Sequence, residues 1–189
     1  PGWREGNVVT DPDGQLWDVM TFEAAPMPEE KAPRLKILDD GKRLEFDPAT
    51  GFFDFPGSKA KFTMRRDPVT GTYLSIVNNL EQLDLLKEMA QAPSTTRLHL
   101  KHPFRQRNFA TLVASDDLWH WRKIKTLIQD DTGLTPPDSI RLTGFQYTDW
   151  LIDGDDLIYV VRTAYRGAQN FHDSNQILYC VEKNFRALL

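Results

Sequence analysis

Three aspartates, Asp11, Asp67 and Asp153, each open a turn, and the residues just before them are of types that can do chemistry. Counting back six, four and two places gives Glu5, Asn7 and Val9, then Lys61, Thr63 and Arg65, then Tyr147, Asp149 and Leu151. The interleaved residues are Gly6, Val8 and Thr10, then Phe62, Met64 and Arg66, then Thr148, Trp150 and Ile152. In extended chain, successive side chains face opposite ways, so each set shares a side. One set is mostly apolar. The other collects carboxylates, a phenol, an ammonium and a guanidinium. Carboxylates and phenols can move protons or attack carbon, and cations can hold an anion. A charge taken out of water costs several kcal/mol unless it is paired or wetted. These groups therefore form a site, or they cancel as ion pairs such as Glu5–Arg65 and Asp149–Lys61.

The elements that position them are strands. Asp-Pro-Asp-Gly at 11–14, Asp-Asp-Gly-Lys at 39–42, Asp-Pro-Val-Thr-Gly at 67–71, Ser-Asp-Asp-Leu at 115–118 and Asp-Gly-Asp-Asp at 153–156 each separate two strand-like runs. Asp and Gly tolerate the tight or left-handed backbone of a hairpin turn. The runs group in fours, over about 5–47, 59–128 and 144–189, the last pair being QILYCVEK and the short FRALL. The three opening aspartates are 56 and 86 residues apart; once a 26-residue insert at 81–106 is set aside, the second spacing becomes 60. A repeat of that length, one four-stranded antiparallel sheet each, is the mark of a β-propeller blade. The expected fold is all-β, with three blades at about 1–55, 56–130 and 140–189. Three blades make an arc of a five- or six-bladed ring, with first strands lining the channel. In the insert, leucines 80, 83, 85 and 86 predict a short amphipathic helix over 80–91.

Several classes are excluded. The net charge is −4 and no basic block occurs, which argues against a nucleic-acid surface. No apolar run reaches the ~18 residues of a membrane helix. One cysteine, Cys180, allows no internal disulfide and no thiolate cluster, and its apolar strand predicts an inert thiol. Four scattered histidines give no metal-binding spacing, so neither a metal nor a cofactor is expected. The chain opens on PGWREGNVV, without an initiator Met or a leader pattern, and reads as part of a longer protein.

A longer pattern carries a resemblance. It runs through WxEGNVV, DDGKxLxFDPxxGFxDFPG, KFTxRxDP, RNxxxLVxSxDL, GFQYxDW and VxRTAYxGAxxxHDxN. From Trp3 to Arg186 the chain resembles the C-terminal blades of sialidase-like β-propeller glycoside hydrolases of bacteria. SDDLWHW at 115–121 is similar to a degenerate Asp-box of form SxDxGxTW, matching at Ser115, Asp117 and Trp121 and lacking the Gly and Thr. Five-bladed arabinanase- and fructosidase-like enzymes share the same general plan.

The resemblance implies an exo-sialidase-like enzyme that cleaves a terminal sugar from a glycan at the channel mouth. An arginine cluster would bind the sugar carboxylate, with Arg65 and Arg162 as candidates and Arg4 as a third. Tyr147 would be the nucleophile and Glu5 its helper. In the other glycosidase plan, Glu5 is the general acid and Asp149 its partner, with Tyr147 or Gln146 holding the sugar. Lys61 belongs to the same channel set, and His172 with Asp173 would orient a hydroxyl or a catalytic group. The alternatives are a carbohydrate-binding propeller without turnover, and a structural arc that needs the missing N-terminal blades or another chain. Glycan-degrading relatives are commonly exported, which implies a secreted or periplasmic full-length protein.

Overall fold

The computed structural model describes residues 2–24 and 27–189. Three antiparallel sheets follow one another along the chain. The first joins β1 (Gly2–Thr10), β2 (Leu16–Glu23), β3 (Lys31–Leu38) and β4 (Arg43–Glu45) in sequence order. A short β5 (Phe52–Asp54) pairs with the start of β3. The second sheet is β6 (Met64–Arg66), β7 (Tyr73–Val77), β8 (Phe109–Ser115) and β9 (Arg122–Gln129). The third is β10 (Gly144–Asp153), β11 (Asp156–Ala164) and β12 (Gln176–Glu182).

The sheets stack face to face. Along β7 every residue is buried, because the strand is covered on both sides. Tyr73 and Val77 enter a core shared with the first sheet, alongside Val9, Val19, Phe55 and Phe62. Leu74 and Ile76 enter a core shared with the third, alongside Phe145, Trp150, Tyr159 and Val161. The period-two alternation of a strand thus feeds two separate cores. Hydrogen bonds along the inner strands tie the blades together. Asn7 donates to the Met64 carbonyl (3.4 Å) and accepts from the Met64 N–H (3.1 Å). Trp150 donates from its indole to the Thr63 carbonyl (3.0 Å).

The ends differ from expectation. FRALL is not a fourth strand of the last sheet. Asn184 turns left-handed (φ 50°) and Phe185–Leu188 winds as a 3-10 helix. Phe185 is fully buried in the second core, and Arg186 forks onto the Asp67 carboxylate at 2.8 and 2.9 Å. The third blade therefore has three strands. The insert helix α1 spans Leu83–Gln91 rather than starting at 80. The backbone N–H groups of Leu80 and Glu81 are held by the side chains of Glu30 and Gln106, which keeps that turn out of the helix. The rest of the insert is turns and irregular chain. A second helix, α2 (Pro136–Leu142), begins on a proline, which suits the first helical position. In SDDLWHW, Asp117 accepts N–H bonds from Trp119 (2.9 Å) and His120 (2.8 Å) and closes the turn between the last two strands of the second blade. Trp121 stands one residue nearer the serine than the SxDxGxTW spacing puts its tryptophan, and its ring packs edge-on to Phe55. Cys180 is only partly buried, on the core side of β12.

Two predictions test this packing. Phe185→Ala should lower stability by about 3–5 kcal/mol, the cost of an aromatic-sized cavity, read by chemical denaturation. Glu30 accepts N–H bonds from Gly57 (2.7 Å) and Leu80 (3.2 Å) in a buried setting. Burial pushes its pKa up to about 7 from an ordinary value near 4.5. The folded state favours the protonated acid, so its contribution is complete below pH 4.5 and is lost as pH rises through about 7. Stability measured at pH 5 and pH 8 should fall in the wild type, and Glu30→Gln should remove most of that fall.

Candidate functional site

Two irregularities in the ladders shape the site. Between Arg4 and Gly6 the β1–β2 register slips, leaving Glu5 unpaired with φ at 26°. Between Gln146 and Asp149 the β10–β11 register slips, and Tyr147 takes φ 54°. A bulge bends its strand and re-aims the extra side chain. Positive φ at a residue with a Cβ is strained and collects at functional sites. Glycines allow the close approaches beside both bulges. A Cβ at Gly6 would strike the Asp18 carboxylate, and one at Gly144 would strike the Phe171 carbonyl.

Glu5 and Tyr147 meet in one pocket of about 250 Å³, and Lys61 lines it too. These are the three residues six places before the turn aspartates. The other walls are Arg4, Thr21, Glu23, Lys59, Arg105, Arg107, Phe171 and His172. Five cationic side chains face two carboxylates in a protein whose net charge is −4. Glu23 is shared by Arg4 (2.6 Å) and Arg105. Glu5 accepts a bond from the Thr21 hydroxyl (3.1 Å).

Arg107 is the central cation. It is only 9% exposed. Its guanidinium donates to Gln146 and lies 5.6 Å from the ring centres of Tyr147 and Phe171. Among the described residues its Nε has no hydrogen-bond partner. Burial lowers its pKa, though a guanidinium stays charged throughout. A buried N–H without a partner costs about 1–3 kcal/mol.

The remaining candidates fall into two groups. Gln146 and Arg162 lie behind the pocket and hold it. Gln146 is fully buried and also donates to the Phe171 carbonyl (2.8 Å). Arg162 donates to Ser174 (2.6 Å) and to the His172 carbonyl (2.8 Å), with its guanidinium 5.2 Å from the Tyr147 ring centre. His172 is in the pocket wall; burial, then Arg107 and Arg162, lower its pKa, so it is neutral at neutral pH. Arg65, Asp149 and Asp173 are elsewhere. Arg65 pairs with Asp149 at 2.9 Å and lies over the Trp150 ring, in place of the Glu5–Arg65 and Asp149–Lys61 pairings. Arg65 is four residues along from Lys61, about 13 Å of extended chain. Burial is the largest single influence on the Asp149 pKa and raises it, but Arg65, the Trp150 N–H and Thr63 together outweigh it and lower the pKa, so the carboxylate is ionised. Asp173 is exposed and accepts from Asn170 in the loop beside the pocket.

Arg105 carried no signal in the sequence, and Arg107 entered only as the first letter of the RNxxxLVxSxDL pattern, with no role attached. They sit at the end of the insert, in HPFRQRNF, a stretch that reads as loop. Among the described residues, no group of three or more His, Cys, Asp or Glu could hold a metal. A larger, more open groove of about 900 Å³ lies between the first and second blades, against Phe53, Phe55, Trp119 and Trp121. It gathers none of the candidate residues, and Arg34 covers Trp119 at 4.2 Å.

No family model matches the chain, and no curated protein is similar to it in sequence. Solved structures are similar in fold. One is an α-L-arabinofuranosidase of Fusarium graminearum in complex with an iminosugar inhibitor, at TM-score 0.53 and 13% identity, covering 96% of this chain and 45% of that one. Another is an α-L-arabinanase of Penicillium chrysogenum complexed with arabinobiose, at TM-score 0.51 and 15% identity, covering 96% and 46%. The fold is that of a β-propeller. The chain spans less than half the length of these glycoside hydrolases.

The strained bulge gives a test. Glycine normally weakens a strand relative to alanine. At position 5 the order should reverse. Glu5→Gly should be more stable than Glu5→Ala by about 1 kcal/mol, because only glycine takes positive φ without penalty. Equal stabilities would show that the bulge relaxes once the glutamate is gone.

Proposed function

We propose that this chain carries the nucleophile and sugar-binding side of a glycoside hydrolase of the exo-sialidase kind, acting on a terminal acidic sugar. The observation that carries the reading is the meeting of Tyr147 and Glu5 in a pocket with Arg4, Arg105 and Arg107. The sugar carboxylate would sit against the guanidinium groups of Arg4, Arg105 and Arg107. Glu5 would take the phenol proton as Tyr147 attacks the anomeric carbon. The bond to the departing oxygen breaks, and its electron pair leaves with that oxygen. Water then attacks the same carbon, the proton it loses passes through solvent to the departed oxygen, and the phenol recovers its own proton from Glu5. A phenol suits this substrate because a carboxylate nucleophile would be repelled by the sugar's own carboxylate. Gln146 and Arg162 act as positioning residues for Arg107 and Tyr147.

A second reading has one observation in its favour. The solved neighbours are named as an α-L-arabinofuranosidase and an α-L-arabinanase. A neutral sugar cleaved by two carboxylates would need a second free carboxylate beside Glu5. Glu23 is engaged by Arg4 and Arg105, and Asp149 by Arg65 outside the pocket.

Aryl glycosides separate the readings, because the aryl phenolate departs without an acid's help. The 4-methylumbelliferyl glycoside of N-acetylneuraminic acid should be hydrolysed and the arabinofuranoside should not. Glu5→Gln should lower kcat about 10²–10⁴-fold, the usual weight of a proton-transfer group. Arg107→Ala should raise KM about 10–100-fold, matching a lost charge-assisted pair of about 1.5–3 kcal/mol. Hydrolysis of the arabinofuranoside alone would overturn the acidic-sugar reading. Binding of N-acetylneuraminic acid without turnover would leave a sugar-binding propeller.

A further inference from the structure

The wide groove between the first and second blades is lined by four basic side chains, Lys31, Arg34, His120 and Lys123. Three of them have carboxylates of their own. Lys31 pairs with Asp54 (2.7 Å), His120 bonds Asp117 (2.6 Å), and Lys123 pairs with Glu81. Arg34 differs. Its Nε donates to the Thr50 carbonyl (3.2 Å), and among the described residues its two terminal nitrogens make no hydrogen bond or ion pair. Asp47 acts on it only through space, because its oxygens accept from the Ala49 N–H (2.9 Å) and the Thr50 hydroxyl (2.7 Å). Glu30, also in the wall, is turned to the N–H groups of Gly57 and Leu80. The Arg34 guanidinium is nonetheless fixed. It lies 4.2 Å from the Trp119 ring centre and 5.3 Å from that of Trp17. Trp119 is itself wedged edge-on against Trp17 (5.2 Å) and Phe53 (5.3 Å). A flat guanidinium stacks well on indole rings. An arginine held in one place with its outer N–H groups unused is a preformed fork for a carboxylate.

We propose that this groove is a second binding site for the acidic sugar, with Arg34 as the partner of its carboxylate. The ligand class rests on the acidic-sugar reading of the pocket; the geometry of the groove is independent of it. Three observations select this occupant. With the other basic groups neutralised locally, the charge left in the wall is one fixed guanidinium, which calls for one anion. The surface around it is aromatic, and Phe53, Phe55, Trp119 and Trp121 offer apolar carbon to the C–H faces of a sugar ring. Ligand sites combine such apolar walls with a few placed polar groups. The volume of about 900 Å³ exceeds the 250 Å³ of the pocket, which leaves room for sugar units beside the one that Arg34 holds. The lining residues run from Pro28 to Lys123, so the first and second blades build the groove between them. A glycan with several acidic sugars is then gripped at two places, and holding one unit in the groove raises the effective concentration of another at the pocket.

Proton–nitrogen NMR spectra of the protein titrated with N-acetylneuraminic acid test this. The Trp119 indole N–H signal, assigned by its loss in Trp119→Phe, should move. The methyl ester of the sugar carries no charge, and its Kd read at Trp119 should be about 10-fold or more higher. That comparison needs no variant. Arg34→Gln should raise the Kd for the acid at Trp119 about 10–100-fold, the weight of a charge-assisted pair, and leave the response of the His172 ring in the pocket wall unchanged. Arg107→Ala should do the reverse. Equal affinity of acid and ester at Trp119 would overturn the proposal. So would a Trp119 signal that stays still while His172 responds, and in that case the pocket reading stands. Stillness at both places would overturn the acidic-sugar reading and this proposal together. A response at Trp119 to a hexaglutamate peptide, with none to the sugar acid, would overturn it in favour of an acidic protein segment.

Discussion

The structure depends on one sheet that is packed on both faces. Strand β7 carries Tyr73 and Val77 into one core and Leu74 and Ile76 into the other. A strand buried on both sides is expected to be apolar on both sides, and YLSIV is so except at Ser75. The neighbouring sheets then need only one apolar face each for these contacts. The order of blades around the axis follows from this sheet lying between the other two. So does the meeting of inner strands on which the pocket is built.

Packing alone would let blades slide past one another. Directional bonds resist that. Asn7 reads the Met64 backbone from the first blade, and Trp150 reads the Thr63 carbonyl from the third. Arg186 reaches from the C-terminal turn to Asp67, whose carboxylate is fully buried at the opening of the second blade's first hairpin. The Arg186 hydrogen bonds hold the Asp67 pKa far below the usual range, so the clasp stays ionised throughout ordinary pH. These contacts pair chain segments far apart in sequence and set the relative height of the three inner strands. That height brings Glu5, Lys61 and Tyr147 to one level.

The pocket gathers several departures from regularity. Glu5 and Tyr147 sit on bulges with positive φ, the Nε of its central arginine has no partner among the described residues, and two of its arginines share one glutamate. Each departure is unfavourable alone. Together they gather positive charge around a phenol and a carboxylate, an arrangement that a bound anion would relieve. The rigid sheets behind it tolerate the strain because their cores are filled.

Composition and spacing determined much of this by themselves. Turn aspartates at a near-constant period, with alternating strands between them, are local signals, and they specify blades because hairpin turns and strand alternation are local physics. The common register of Glu5, Lys61 and Tyr147 was legible for the same reason. Tertiary structure decided the rest. Arg65 shares the alternation of Lys61, yet four residues of rise carry it to Asp149 and away from the pocket. Arg105 and Arg107 come from a loop with no periodicity, so only packing against Tyr147 and Gln146 reveals them. FRALL has the composition of a strand, but Phe185 fills a hole in the core and Arg186 finds Asp67, and both need a helical turn. Contacts of that kind join residues more than a hundred positions apart, and no local pattern in the chain encodes them.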